Sequence, residues 1–138
     1  MKNRSPIITL FFASILILTS FASCKKYEEG PAFTLSTKKA RVANEWKVDY
    51  AFDFDDNLEV TSDYVGETWE FTKDGEWTER DSGIIDKTGT WEFVSDKEGL
   101  QINRTGTGTS TSVYTILKLK QKEMWLKDKD EELHLIPN

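Results

Sequence analysis

The sequence has few of the residues from which most chemical sites are built. Its 138 residues include one Cys and one His, which is too few for a zinc site of Cys and His ligands or for an internal disulfide. Acidic side chains outnumber basic ones by 24 to 18, and this balance argues against nucleic-acid binding, which needs a basic footprint. No Gly-rich phosphate loop, nucleophile elbow or carboxylate pair stands out. We therefore expect neither an enzyme nor a bound cofactor.

The acidic run DFDDNLE at residues 53–59 copies the first half of a calcium-binding loop. The second half departs from that pattern, because the sixth position is Leu58 instead of Gly and the twelfth is Tyr64 instead of a bidentate Glu. Asp53 and Asp55 also fit the solvent face of a strand, so we expect no metal site.

The one long apolar run of the sequence lies at its start and is typical of an export signal. Two basic residues precede an apolar stretch over residues 7–18, which is too short for a transmembrane helix of ~20 apolar residues. The sequence FASC at 21–24 resembles the lipobox of bacterial lipoproteins, whose Cys is lipidated and becomes the new N-terminus. The resemblance implies a lipoprotein signal peptide over residues 1–23 and a lipid on Cys24 that holds the protein in a membrane.

Residues 24–36 have the composition of a flexible tether between that anchor and a folded domain, since they mix charge, Gly and Pro without sustained periodicity. Within them, KKYEE at 25–29 resembles the Lys-then-acidic signal that directs some Bacteroidota lipoproteins to the outside of the outer membrane; a plain linker is the alternative. We expect an outer-membrane lipoprotein of a Gram-negative bacterium, on the periplasmic face or on the cell surface.

Residues 37–138 form the predicted domain, in which period-two alternation predicts eight strands between Trp46 and Ile136. The first strand is the clearest, because five apolar residues share one face: Trp46, Val48, Tyr50, Phe52 and Phe54. The other strands follow at a spacing of about 12 residues, which leaves no room for crossover helices and makes neighbouring strands antiparallel. One short helix over residues 37–43, capped by Ser36, precedes them.

The predicted strands favour a closed barrel. An open sheet would expose its edges, and eight strands is a number at which an up-and-down barrel closes around its own side chains. A Greek-key sandwich is the alternative, although most connections are as short as hairpins. The sequence TWEF occurs at 68–71 and again at 90–93, so both Trp-x-Phe pairs should face inward from alternate strands. The strand over 112–120 is apolar on both faces, so it is either covered on both sides or bulged.

Several features of the domain occur together in one known family. They are Trp46 at the start of the first strand, TWEFTKDG at 68–75, GTWEF at 89–93 and YTILKL at 114–119. With the lipobox and the acidic tether, they resemble the small lipocalin-like lipoproteins of Bacteroidota. The resemblance implies an all-β fold, an antiparallel eight-stranded meander that closes into a small lipocalin-like barrel with one short N-terminal helix. It also implies a barrel mouth that holds a small apolar molecule, and no catalytic residue.

The predicted function is that of a membrane-anchored binding module, which takes a small apolar or amphipathic molecule at the barrel mouth. The side chains expected to line the barrel are Trp46, Tyr50, Phe52, Trp69, Phe71, Trp77, Trp91 and Phe93. The alternative is a filled barrel that contacts a protein partner at the cell envelope. Apolar residues on the opposite faces of their strands would then form a partner patch, namely Tyr114, Ile116, Trp125 and Ile136.

Overall fold

The structure is a computed structural model that describes residues 28–29, 35–106 and 108–138. The predicted signal peptide, the lipidation site Cys24 and most of the predicted tether lie outside the described residues. Within the described part of the chain, no helix has the length and apolar content that crossing a membrane requires.

The described residues form one α-helix, ten strands and two short 3₁₀-helices. The α-helix is α1, Lys38–Val42, and the 3₁₀-helices span Thr61–Tyr64 and Ser95–Lys97. The strands are β1 Glu28–Glu29, β2 Glu45–Asp53, β3 Leu58–Glu59, β4 Glu67–Phe71, β5 Glu76–Asp81, β6 Ile84–Val94, β7 Gly99–Thr105, β8 Ser110–Leu119, β9 Met124–Lys127 and β10 Glu131–Pro137.

Eight of the strands close into a barrel in which every neighbouring pair is antiparallel. Around the wall the order is β2, β4, β5, β6, β7, β8, β9 and β10, and β10 pairs back with β2. Two short strands lie beside this ring: β3 pairs with β2, and β1 runs parallel to the end of β8. The predicted eight-stranded antiparallel barrel is therefore confirmed, and the sandwich alternative is wrong.

A β-bulge in β2 changes which of its residues face the interior. The register with β10 shifts at Asp49, which is an extra residue of β2 with no register partner in β10. Before the bulge Trp46 is fully buried, and after it Ala51 takes the inward position. Tyr50 and Phe52 therefore lie half-buried on the outer face of the barrel, and the prediction that they line the interior is wrong.

The outer face beyond this bulge carries a row of rings. The ring centroid of Tyr50 lies 4.9 Å from that of His134, which stacks in parallel on Trp125 at 3.9 Å. Phe52 and Phe54 are also neighbours, with centroids 5.6 Å apart. The aromatic alternation of the first strand is thus a true strand pattern, but its two halves face opposite sides of the wall.

A second bulge lies in β8, whose register with β9 shifts at Leu117. The apolar residues on both faces of this segment predicted either cover on both sides or a bulge, and the structure has the bulge. Tyr114 and Ile116 are each 2% exposed and belong to the core, so their assignment to an outer partner patch is wrong. Trp125 and Ile136 are half-buried on the outer face, because they alternate with buried residues of β9 and β10.

Aromatic side chains dominate the core. Both Trp-x-Phe pairs of the TWEF repeat face inward from the alternate strands β4 and β6, as predicted. Phe71 packs edge-on against Trp91, with centroids 5.8 Å apart. Trp69 packs edge-on against Trp77 at the same distance. Aliphatic residues and one Tyr fill the remaining space: Val42, Ala51, Leu100, Ile102, Tyr114, Ile116, Leu119, Met124, Leu126, Leu133 and Leu135.

The helix α1 covers the end of the barrel where β2 begins and β8 ends. Thr37 caps it instead of Ser36, because the Thr37 hydroxyl oxygen accepts from the backbone N of Ala40 at 3.1 Å. Val42 is fully buried, and Nε1 of Trp46 donates to its carbonyl at 2.8 Å. We call the opposite end of the barrel, where β4, β6, β8 and β10 begin, the mouth.

Candidate functional site

The mouth is lined by polar and charged side chains that strand alternation turns inward. Arg104 comes two residues after the buried Ile102, and Glu79 comes two residues after the buried Trp77. The inward-facing polar set is Glu67, Glu79, Lys87, Arg104, Ser112, Tyr114 and Glu131. Sequence reasoning assigned Tyr114 to the outer face and missed the other members, because a polar or charged residue at a strand end is ordinarily placed in solvent. Continuing the period-two pattern to the end of each strand would have found it.

Glu79 and Lys87 form an ion pair between neighbouring strands at the mouth. Glu79 is 4% exposed, which is rare for a carboxylate unless it is paired. Lys87 lies opposite it in β6 and donates a hydrogen bond to it. This hydrogen bond raises the pKa of Lys87 above its ordinary value, so the ammonium keeps its charge beside the carboxylate.

Glu67 is a half-buried carboxylate on the inner side of β4. Nε1 of Trp69 donates to its Oε1 at 2.6 Å. Burial nevertheless raises the pKa of Glu67 above its ordinary value, because the loss of water disfavours the charged form. A carboxylate held under such conditions beside a cleft is a candidate binding group.

Glu131 joins three elements across the mouth. The hydroxyl of Tyr64, in the 3₁₀-helix after β3, donates to Oε2 of Glu131 at 2.5 Å, and the hydroxyl of Tyr114, in β8, donates to Oε1 at 3.2 Å. Burial raises the pKa of Tyr114 to about 12 and also raises the pKa of Tyr64, so both phenols keep their protons at neutral pH. One carboxylate thereby holds the 3₁₀-helix at the rim of the barrel.

A cleft of about 380 Å³ opens in the barrel wall where β2 and β4 diverge toward the mouth, and it reaches back along this seam to Glu45 and Asn138. These two strands pair over three residues, 45–47 with 68–70, and then separate. The lining combines apolar surface from Val48, Tyr64 and Val65 with polar and charged side chains, namely Glu45, Lys47, Glu67 and Thr68. We call this space the mouth cleft.

The rim of the mouth cleft exposes large apolar side chains. Val65 is 80% exposed, and the turn from β5 to β6 exposes Ile84 at 75% and Ile85 at 58%. The backbone N of Ser82 in that turn donates to the carbonyl of Gly66 at 2.8 Å, which brings the turn beside Val65. Apolar side chains this exposed are common at surfaces that contact a ligand or a partner.

The side chains predicted to line the barrel do not line the mouth cleft. Six of the eight face the interior as expected, where they pack against one another and against the aliphatic core: Trp46, Trp69, Phe71, Trp77, Trp91 and Phe93. The mouth cleft is formed instead by β2, the 3₁₀-helix and β4. Contact between a ligand and any of the predicted residues stays a prediction.

The acidic run at 53–59 closes a turn. Oδ1 of Asp53 accepts from the backbone N of Asp55 at 2.8 Å and from that of Asp56 at 2.9 Å. Among residues 28–29, 35–106 and 108–138, no three His, Cys, Asp or Glu side chains converge in a way that could hold a metal ion.

Comparison with known proteins found similarity in structure. No protein-family model matches the chain, and no curated protein sequence matches it. The chain is similar to a lipocalin-like protein from Bacteroides uniformis, with 11% identity over 71% of this chain and 99% of that chain and a TM-score of 0.56. It is also similar to an uncharacterized protein from Bacteroides eggerthii, with 12% identity over 70% of this chain and 98% of that chain and a TM-score of 0.52.

At such low identities the similarity shows the fold alone. The closed eight-stranded ring, the single short helix and these neighbours define a small barrel with a lipocalin-like fold, which confirms the fold that the sequence resemblance implied. Because one fold hosts many functions, the function has to be argued from the mouth and its residues.

Proposed function

We propose that the protein is a lipid-anchored binding module that takes a small amphipathic molecule in the mouth cleft. The anchor is the lipid on Cys24, and the location is the outer membrane, on its periplasmic face or at the cell surface. A lipocalin-like barrel supports a binding role, while the apolar signal and the lipobox support the anchor.

The observation that carries the proposal is the mixed lining of the mouth cleft. Its volume of about 380 Å³ lies at the lower end of the range for small-molecule sites, roughly 300–1,000 Å³. Val48, Val65 and the ring of Tyr64 offer apolar surface to the body of a ligand. Glu67 offers a carboxylate at one end, so the site suits a molecule with an apolar part and a polar end.

The carboxylate of Glu67 favours a ligand that carries a hydrogen-bond donor. Its pKa is raised by burial, which means that its charge is poorly solvated in the empty cleft. A hydroxyl or an amine on the ligand would replace the missing water, whereas a second carboxylate would be repelled. The interior of the barrel offers no comparable position, since the core aromatic residues are packed against one another.

A binding assay with the chain from residue 25 onward, which keeps every described residue, tests the proposal. The probe is N-phenyl-1-naphthylamine, an apolar dye with one N–H donor, and the readout is its fluorescence during titration. The replacement of Val65 by Asp would put a charge on the rim and should raise the dissociation constant at least fivefold. The matched control is Val113→Asp, which changes a residue that is 50% exposed on the outer face of β8.

Saturable dye binding that Val65→Asp weakens and Val113→Asp leaves unchanged supports the proposal. Absence of saturable binding, or equal weakening by both substitutions, overturns it. Native mass spectrometry of the same chain, purified without organic extraction, should show a complex with a co-purified small molecule and a correspondingly smaller fraction of ligand-free protein.

The alternative function, a filled barrel that contacts an envelope protein, is favoured by the stacked rings of Trp125 and His134 on the outer wall. A photo-crosslinking residue placed at position 125 in intact cells would then trap one defined protein. The same residue placed at 113 would trap none. Such a result, together with no dye binding, would make the alternative the better account.

A further inference from the structure

We propose that the mouth carries a second site, an oxyanion site centred on Arg104 that takes the carboxylate or phosphate group of a small solute. This site lies at the ends of β6, β7 and β8, outside the lining of the mouth cleft. It therefore does not depend on the function proposed above.

The guanidinium of Arg104 is held in a fixed position at the mouth. Trp77, Gly89 and Arg104 lie opposite one another in β5, β6 and β7. A Cβ at Gly89 would lie 2.1 Å from the carbonyl oxygen of Asn103, so only a Gly allows the strands to approach this closely. The Arg104 side chain extends over the indole of Trp77, with Cζ 5.0 Å from the ring centroid. Stacking of this kind fixes the plane of a guanidinium.

The side chains that contact the guanidinium of Arg104 are neutral. Its Nη1 donates to Oγ of Ser112 at 2.6 Å, and the hydroxyl of Tyr114 is within hydrogen-bonding reach. Among the described residues, no carboxylate forms a salt bridge with Arg104, in contrast to Lys87, which pairs with Glu79. A half-buried guanidinium with five N–H donors and neutral partners has donors and charge left for an anion.

The indole of Trp77 carries a buried hydrogen-bond donor. This residue is 1% exposed, and its Nε1–H has no hydrogen-bond acceptor among the described residues. Buried N–H groups are nearly always paired, so an orphan donor needs an acceptor, which a bound water or the oxygen of an anion supplies. The orphan belongs to the ring on which Arg104 lies, so a guanidinium without a paired carboxylate lies beside an N–H without an acceptor.

A solute can reach Arg104 through a cleft at the surface. A cleft of about 250 Å³ opens beside Arg104 and is lined also by Lys87, Asp86, Thr105 and Ser110. Lys87 is held in the wall by ion pairs with Glu79 and, at 3.3 Å, with Asp86, so Arg104 is the cation that is left for an anion. The hydroxyls of Thr105 and Ser110 can donate to an oxygen. A phosphate ion or a small carboxylate fits this volume, and the guanidinium of Arg104 favours it over a neutral solute.

The test is an NMR titration of the isotope-labelled chain from residue 25 onward with sodium phosphate and, separately, with sodium acetate. Sodium chloride at equal ionic strength is the reference for general screening. The signals to follow are the Nε1–H of Trp77 and the Nε–H of Arg104. We expect saturable shifts of both signals with at least one oxyanion and none with chloride; the more effective anion identifies the preferred group.

Three variants separate a site from a surface effect. Arg104→Lys keeps the charge and loses the planar fork, and it should raise the dissociation constant at least threefold. Ser110→Glu adds a carboxylate to the wall without changing the core, and it should abolish binding. Arg80→Gln, which removes a cation paired with Glu70 at 2.8 Å, should leave binding unchanged. Shifts that follow ionic strength alone, or that persist in both Arg104→Lys and Ser110→Glu, overturn the proposal.

Discussion

The fold depends on which side of the barrel wall each Trp side chain lies. Replacing one inner and one outer Trp by Ala tests this assignment. Trp91 is 4% exposed; it packs edge-on against Phe71 at 5.8 Å and Phe93 at 5.5 Å, and its Nε1 donates to the carbonyl of Thr72 at 2.9 Å. Removing the ring leaves a cavity among these partners and orphans that carbonyl. We expect Trp91→Ala to lower the free energy of unfolding by about 3–5 kcal/mol.

Trp125 is the matched control, because the same substitution there removes a ring from the outer wall. Its main contacts are the parallel ring of His134 at 3.9 Å and the ammonium of Lys118 at 3.7 Å. Such contacts are worth about 1 kcal/mol each at a half-exposed surface, so we expect Trp125→Ala to cost about 1–2 kcal/mol. Urea unfolding followed by far-UV circular dichroism measures both. A cost below 1 kcal/mol for Trp91→Ala, or an equal cost for the two variants, would refute the assigned facing.

Three further predictions follow from the mouth and the anchor. Glu67→Gln removes a poorly solvated charge and keeps an acceptor for the indole N–H of Trp69. At pH 7 it should therefore raise the free energy of unfolding by a few tenths of a kcal/mol after solvent screening. Urea titrations should show that this gain disappears below about pH 4, where the carboxyl is protonated in both the folded and the unfolded state. The pKa of Tyr114 is about 12 in the fold and near 10 in the unfolded chain. The unfolded state therefore releases this proton first, so between pH 10 and 12 the wild type should lose roughly 2–3 kcal/mol more stability than Tyr114→Phe, in which the half-buried Tyr64 still contributes a fall. Cys24→Ser should move the protein from the membrane to the soluble fraction and abolish the incorporation of labelled palmitate; unchanged membrane association would contradict the anchor.

The strands could be predicted because their alternation is carried by large residues. Trp69, Phe71 and Trp91 stand at every second position beside charged neighbours, and only a half-buried strand gives all of them the same face. The number of strands and their antiparallel order follow from the spacing, which is too short for crossovers. These features are local, and the structure confirms them.

The positions of the bulges could not be predicted from alternation, because the register with the partner strand determines where a bulge lies. Asp49 has no register partner because β10 is one residue shorter over the same span, and nothing in β2 itself marks that position. The consequence is large: Tyr50 and Phe52 leave the interior, and Ala51 enters it. In β8 both faces are apolar, a pattern that fits either a bulge or cover on both sides and does not show which half is buried.

The polar mouth was hidden for a different reason. Glu79 and Arg104 are charged residues at inward positions. Glu79 is paired with Lys87 in the neighbouring strand β6, and Arg104 in β7 lies over the ring of Trp77 in β5, one strand beyond β6. Such partners are set by the register between strands, so the pattern within one strand does not show them.

The short pairing of β2 with β4 also has a consequence for the motions of the barrel. This seam has three register pairs, whereas every other seam has four to seven. Local opening starts where the fewest backbone bonds must break, so those amide protons of 45–47 and 68–70 that bond across this seam should be replaced by deuterium before the amide protons of the other seams. A molecule seated beside this seam would hold it shut and slow that replacement, so the amides report occupancy without any label on the bound molecule.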